Sequence, residues 1–373
     1  MLRLIGPAHG VLGGYALKSR DSMMSQGRGL MGRLTVLAVG VVAVIAAGCG
    51  QTGHGVSTSH PSGFWHRQHP SREPAAEMEA STADDPLNQG VILFGGLSVH
   101  AEGASPVGAL GDTWTWNGSD WVERHPATSP PARYGETMAY DQATRTVVLF
   151  GGLGCGHFCG DTWTWNGSDW VERHPATSPP ARWHATMAYD AATRQVVLFG
   201  GGGCGALPCG DTWTWNGSDW VERHPATSPP GLYGAAMAYD AATKSVILCG
   251  GRSGAFLRLA DKGTWIWNGS DWASAASHNS PSGQIFASMA FDPGSRRVVL
   301  YGGTRDLVEP THDTWTWNGA SWRMAHPIPS PASRQSPALA KDSTSNDLVL
   351  VSGSLLGLGT AFRTGGTWTY GTS

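Results

Sequence analysis

The apolar residues of this chain gather in short, dense runs separated by Gly, Pro, Asn, Asp and Ser, and the runs recur in a fixed order. One type is β-branched and ends in small residues: VILFGG from Val91, VVLFGG from Val147 and Val196, VILCGG from Val246, VVLYGG from Val298 and LVLVSG from Leu348. A second type precedes four of these: ETMAYD from Glu136, ATMAYD from Ala185, AAMAYD from Ala235 and ASMAFD from Ala287. A third alternates Thr with Trp and a fourth opens on Trp, both visible in DTWTWNGSDWVERHP from Asp112. Short runs rich in β-branched and aromatic residues and bounded by turn formers predict strands. No long segment outside the N-terminus carries the 3.6-residue period of a helix. The order predicts units of four strands: xxMAYD, VVLFGG, DTWTW and DWVERHP. The Asn-Gly of TWNGSDW predicts a type I′ hairpin between the last two, with positive φ at both central residues. The fold class is all-β.

The stretch Asp112 to Pro131 recurs word for word at Asp161 to Pro180 and Asp211 to Pro230, with looser copies from Gly263, Asp313 and Gly366. The first Trp of each copy stands at 114, 163, 213, 265, 315 and 368, a period of 49 to 53 residues. A fixed period of this length marks a repeat architecture. Four-stranded units at this period, with the VVLFGG doublets and the DTWTW…W spacing, resemble kelch repeats, which implies a β-propeller. The last unit stops at its third strand. FWHRQHP from Phe64 aligns with DWVERHP from Asp120, and Trp65 precedes Val91 by 26 residues just as Trp121 precedes Val147. The expectation is six kelch-type blades over 64–373, the last closed by an N-terminal strand, with Glu77 to Asp85 as the least regular inner strand. Of the 18 Trp, 17 occupy repeat positions and only Trp183 does not.

Leu34 to Ala47 is an uninterrupted apolar run behind a basic stretch, too short for a membrane span and suited to a secretory signal. It ends Ala46-Ala47-Gly48-Cys49, which resembles the lipobox of bacterial lipoproteins. The resemblance implies an export signal over 1–48, acylation of Cys49 and a lipid-anchored protein on the extracytoplasmic face, with secretion as the alternative. The polar, Gly/Ser-rich stretch 49–63 reads as a tether. Without the signal the chain holds 20 Lys and Arg against 27 Asp and Glu, a net charge of −7. So acidic a body offers no footprint for phosphate backbones, and nucleic acid is excluded as a partner. The sequence reads as a monomer.

The candidate chemistry lies between the copies. Alternation of strand direction places the NGSD turns and the Tyr-Asp turns on one face, and the strand 2–3 loops with the HPATSPP crossovers on the other. The strand 2–3 loops differ in every unit, and variable loops on a rigid scaffold are where binding residues sit. The start of strand 1 opens onto the same face with Arg133, Arg182 and Arg334, followed by Tyr134 and Trp183, and by Tyr233 in the fourth unit. Arginine beside aromatics suits carboxylates, sugars or acidic peptides; pairing of the arginines within the scaffold is the alternative. Glu136 and His184, which break the repeat, are candidates for an acid/base pair at the channel mouth. Cys155 with Cys159, and Cys204 with Cys209, each sit in one variable loop and read as disulfides in an exported protein, or as four zinc ligands beside His157. Cys249 reads as a buried thiol. No cofactor is assigned and no metal-ligand set beyond that alternative. The sequence favours a binding module for a protein or glycan over an enzyme. Kelch propellers include galactose oxidase and a sialic-acid mutarotase, so the resemblance also implies a carbohydrate-active enzyme as an alternative; a structural envelope protein is a third reading.

Overall fold

The computed structural model describes residues 63–372 apart from 76, 99–107, 255–262, 276–278, 282, 306–308, 358–359 and 364–365. The expected export signal, Cys49 and the tether as far as residue 62 lie outside the described residues. Among the described residues every regular element is a strand, and no helix is long and apolar enough to cross a membrane.

Six antiparallel four-stranded sheets form a six-bladed β-propeller. In the second blade the strands are Thr137–Asp141, Thr146–Phe150, Thr162–Trp165 and Trp170–Arg173, from the axis outward. The innermost strands, Ser81–Asp85, Thr137–Asp141, Thr186–Asp190, Tyr233–Asp240, Ser288–Asp292 and Ala338–Lys341, stand next to one another in a closed ring. Strand 2 is covered on both faces by the neighbouring blades, which is why its apolar residues run on without alternation: Val147, Val148, Leu149 and Phe150 are 0–1% exposed. Each such side chain contributes about 1.5–3 kcal/mol by leaving water.

The sixth sheet is made of Ala338–Lys341, Leu348–Val351 and Trp368–Gly371, completed by Phe64–Arg67 from the other end of the chain. Trp65 lies opposite Tyr370 in this closure. Their rings meet at 5.0 Å, reproducing the Trp165–Trp170 contact at 5.5 Å in the second blade. The inner strand of the first blade pairs over its whole length, Ser81↔Phe94 to Asp85↔Gly90, although it lacks the Met-Ala-Tyr signature.

The repeated phrase is spent on the seams between blades. Each strand-4 Trp donates its indole N–H to a Thr of strand 3 in the preceding blade: Trp170 to Thr113, Trp220 to Thr162, Trp272 to Thr212, Trp322 to Thr264, Trp65 to Thr314 and Trp121 to Thr367, all at 2.9–3.1 Å. Six bonds close the circle, and two of them cross the join between the chain ends. The GG doublet ending strand 2 has a seam role too. Gly151 and Gly152 have φ of 75° and 103°, and a Cβ on Gly151 would come within 2.5 Å of the Arg182 carbonyl of the next blade.

Two local expectations change. The NGSD turn is a four-residue loop with positive φ at Gly118, Gly167 or Gly217 but not at the Asn before it, so it is not type I′. The Asn carboxamide oxygen instead accepts the N–H groups of the Ser and Asp that follow, 2.9 and 2.9 Å in the second blade. The crossovers end beside the strand 2–3 loops as expected, with Arg133 N–H on the Leu110 carbonyl at 2.9 Å and Arg182 N–H on that of Cys159 at 3.1 Å, but they begin beside the NGSD turns. Asp169 accepts the N–H of Ala127 at 2.7 Å and Asp219 that of Ala176 at 2.7 Å, fastening each crossover to the next blade's turn. Strand twist accumulates outward in a sheet, so the outer strands no longer run along the axis and their ends meet at the rim.

Candidate functional site at the channel mouth

At or just before the start of each innermost strand stands a residue in the left-handed region: Glu79, Gly135, His184, Gly234, Phe286 and Ser336, with φ from 47° to 66°. Their backbones bond in sequence around the axis: Gly135 N–H to Glu79 C=O (3.1 Å), His184 to Gly135 (2.7 Å), Gly234 to His184 (3.1 Å), Phe286 to Gly234 (2.8 Å) and Ser336 to Phe286 (2.9 Å). Four of these six are not glycine, a conformation rare enough to mark a site worth explaining. Below this necklace lies a cavity of about 180 Å³ lined by the first residues of all six inner strands.

Glu136 lines that cavity at 7% exposure, and neither of its carboxylate oxygens finds a hydrogen-bond partner among the described residues. Burial raises its pKa to about 8, opposed in part by the N–H groups of Glu136 and Ser81 and by the charge of Arg133, and reinforced by Glu79. The proton is therefore held at neutral pH. His184 also lines the cavity, but its partner is Glu79, with Nε2 2.9 Å from Oε2. Its Nδ1 is buried without a partner. Glu79 completes the acidic group and was not singled out from the sequence. The signal was Asp85, which aligns with Asp141 at the end of the inner strand and counts back to Glu79 at the position of His184.

An aromatic arc flanks the mouth. Trp183 stacks on His184 (centroids 4.2 Å apart, 26° between planes) and lies nearly parallel to Phe158 (6.2 Å, 13°). Phe286 meets His184 edge-on at 4.7 Å and Tyr233 at 6.1 Å. Tyr134 lies near Glu79, and burial followed by the Glu79 charge raises its pKa. Phe158 and Leu207 stand exposed on two neighbouring loops, each closed by a disulfide, Cys155–Cys159 and Cys204–Cys209. His157 is exposed on the first of these loops. The disulfides take up the four thiols that zinc would have needed; Cys249 is buried and accepts the Thr264 hydroxyl at 3.8 Å.

The arginines sit elsewhere. Arg133 and Arg182 are 0% exposed and grip Asp161 and Asp211 with both guanidinium nitrogens at 2.7–2.8 Å. Each also donates to a glycine carbonyl, Gly151 or Gly200, at 3.0 Å. Burial works to raise the pKa of each aspartate, but the paired arginine and the indole N–H of Trp163 or Trp213 outweigh it, and both stay below the usual carboxylate range. Arg334, also 0% exposed, belongs to a blade with Gly366 at the sequence position where the others have Asp, and it donates to the carbonyls of Ala332 and Ser352. The three therefore tie the start of strand 1 to the strand 2–3 loop and line no part of the cavity, although Glu136 feels the charge of Arg133. Among the described residues the cavity is lined by two carboxylates and an imidazole and by no Lys or Arg.

No protein-family model matches this chain, and no curated protein does either. Propellers commonly serve as protein-binding scaffolds, and the two disulfides point to an oxidising, extracytoplasmic compartment.

Proposed function

We propose that this protein is a kelch-type propeller, exported and anchored through an acylated Cys49, that binds a protein or glycan partner with its strand 2–3 loop face. The observation that carries the reading is the contrast between the faces. The tryptophans of the verbatim phrase are bound into the seams, whereas the variable loops expose Phe158 and Leu207 on disulfide-pinned loops beside the Trp183–His184–Phe286 arc. Aromatic anchors held rigidly lose little freedom on binding and so make efficient contacts. Within this reading Tyr134, Trp183 and Tyr233 contact the partner, while Arg133, Arg182 and Arg334 hold the loops that present it. Pull-down and glycan-array binding with Phe158→Ser, Leu207→Ser and Trp183→Ala tests the face. Loss of the captured partner is expected, and unchanged capture by all three variants sinks the reading. Labelled palmitate incorporated by the wild type and lost in Cys49→Ser tests the anchor.

One observation favours acid/base chemistry as a second reading. Two carboxylates share the cavity in different surroundings, Glu136 protonated by burial and Glu79 bonded to His184, which is how one site supplies an acid and a base together. Polarimetry of reducing-sugar anomerisation by the purified protein tests it; turnover that survives Glu136→Gln removes Glu136 from the role.

A further inference from the structure

The channel mouth carries acidic and aromatic side chains but no available positive charge. Glu136 is 93% buried yet makes no hydrogen bond through either oxygen, while the arginine nearest to it is committed to Asp161. A buried carboxyl whose oxygens make no hydrogen bond, with only the nearby N–H groups of Glu136 and Ser81 to favour its charge, is costly to ionise, and the polar groups of a folded interior are as a rule satisfied. The cavity it lines also holds Glu79 and the rings of His184 and Phe286, with Trp183 stacked behind His184. Carboxylates framed by aromatic rings attract cations, through charge and through the ring quadrupoles.

We propose that the mouth of the channel accepts a primary ammonium group, of the kind that ends a lysine side chain, with Glu136 as its counter-ion and Glu79 as a second acceptor. The three N–H donors of such a group match what the site lacks. A cavity of about 180 Å³ has room for an alkylammonium and none for a folded polypeptide, so a partner would reach it with one extended side chain. Identifying a lysine-bearing protein as that partner rests on the loop-face reading above; the pocket's preference for an ammonium does not.

The inference also fixes a proton balance. The charged or titratable groups around Glu136 are Glu79, His184, Tyr134 and Arg133. With its proton held up to about pH 8, Glu136 must give that proton to solvent when an ammonium arrives at neutral pH. Uptake of the ligand therefore releases close to one proton at pH 7 and few at pH 9.

Isothermal titration of the full chain with n-butylamine, in buffers of different ionisation enthalpy, reads both affinity and proton release. Saturable binding in roughly the millimolar range is expected, with about 0.9 proton released at pH 7 and about 0.1 at pH 9. Butyrate and methyl β-galactopyranoside are expected not to bind. Glu136→Gln should weaken butylamine at least about tenfold, and Glu79→Gln should weaken it less because Glu79 already serves His184. Absence of saturation, equal binding by folded Glu136→Gln, or a preference for the galactoside or for Ca²⁺ overturns the proposal. Should Glu136→Gln fail to fold, proton release by the wild type decides the matter, and a release near zero at pH 7 counts against it. Loss of partner capture in Phe158→Ser and Leu207→Ser with butylamine binding intact would separate the two readings.

Discussion

Replacing Glu136 with Gln removes a titration while leaving the shape, and its effect can be worked out in advance. The carboxyl titrates at its ordinary 4.5 in the unfolded chain and at about 8 in the folded one. Below the lower value both states are neutral and the group costs nothing. Between the two the unfolded chain ionises while the folded chain keeps its proton, so the wild type loses stability as pH rises; above the upper value the loss is constant. At about 1.4 kcal/mol per pH unit the full interval is about 5 kcal/mol, of which about 1 has accrued at pH 5 and about 3 at pH 7. Gln pays no such toll, although its buried amide carries a fixed cost of about 1–3 kcal/mol for want of partners. The difference between variant and wild type should therefore swing by about 4 kcal/mol in favour of the variant from pH 5 to pH 9, or about 6 °C in Tm for a domain of about 300 residues. Urea unfolding followed by the fluorescence of the 18 tryptophans, on both proteins at four pH values, measures the swing directly. A swing under about 1 kcal/mol would mean that Glu136 is hydrated or partnered in solution, and the reasoning about the cavity would fail with it.

Three further outcomes follow from the seams and loops. Asp161→Ala strands the buried Arg133 and should cost about 3–5 kcal/mol. The double change Arg133→Leu, Asp161→Gly copies the Leu232 and Gly263 of the fourth blade and should recover most of it in a double-mutant cycle. Trp65→Ala, by emptying the 0% exposed site that locks the closing strand, should cost about 3–5 kcal/mol in the same unfolding assay and leave the N-terminal strand open to protease. Cys155→Ser with Cys159→Ser should lower stability by about 2 kcal/mol for so short a closed loop. It should also weaken partner capture by more than that loss explains, because Phe158 is no longer held.

The blade count and the closing strand were legible because the phrase that repeats is the phrase that makes the seams. Trp65 could be placed from spacing alone, since its indole has the same Thr to meet as every other strand-4 Trp. The site was less legible. Glu79 precedes an inner strand, STADD, that shares nothing with Met-Ala-Tyr, and only the aspartate at its end keeps register with the rest. The arginines misled for a different reason. Their sequence neighbours are aromatic, but their physical partners are the aspartates that open strand 3, some 28 residues on, and those belong to the repeated phrase. The pairing was nonetheless written in the chain: the fourth unit changes both members together, to Leu232 and Gly263. The turn type was misjudged because Asn-Gly satisfies two different loops, and the carboxamide cap chosen here depends on the Ser and Asp that follow.

The necklace of backbone bonds at the channel mouth separates aperture from chemistry. Its links run from main chain to main chain, so the opening has the same bore whichever side chains it carries, and it already mounts Glu, Gly, His, Gly, Phe and Ser in one equivalent position. A lineage of such proteins can exchange those fittings one at a time, each at the modest strain of a left-handed residue, about 1–2 kcal/mol. New ligand tastes would then arise by drift at six positions while the six blades stay as they are.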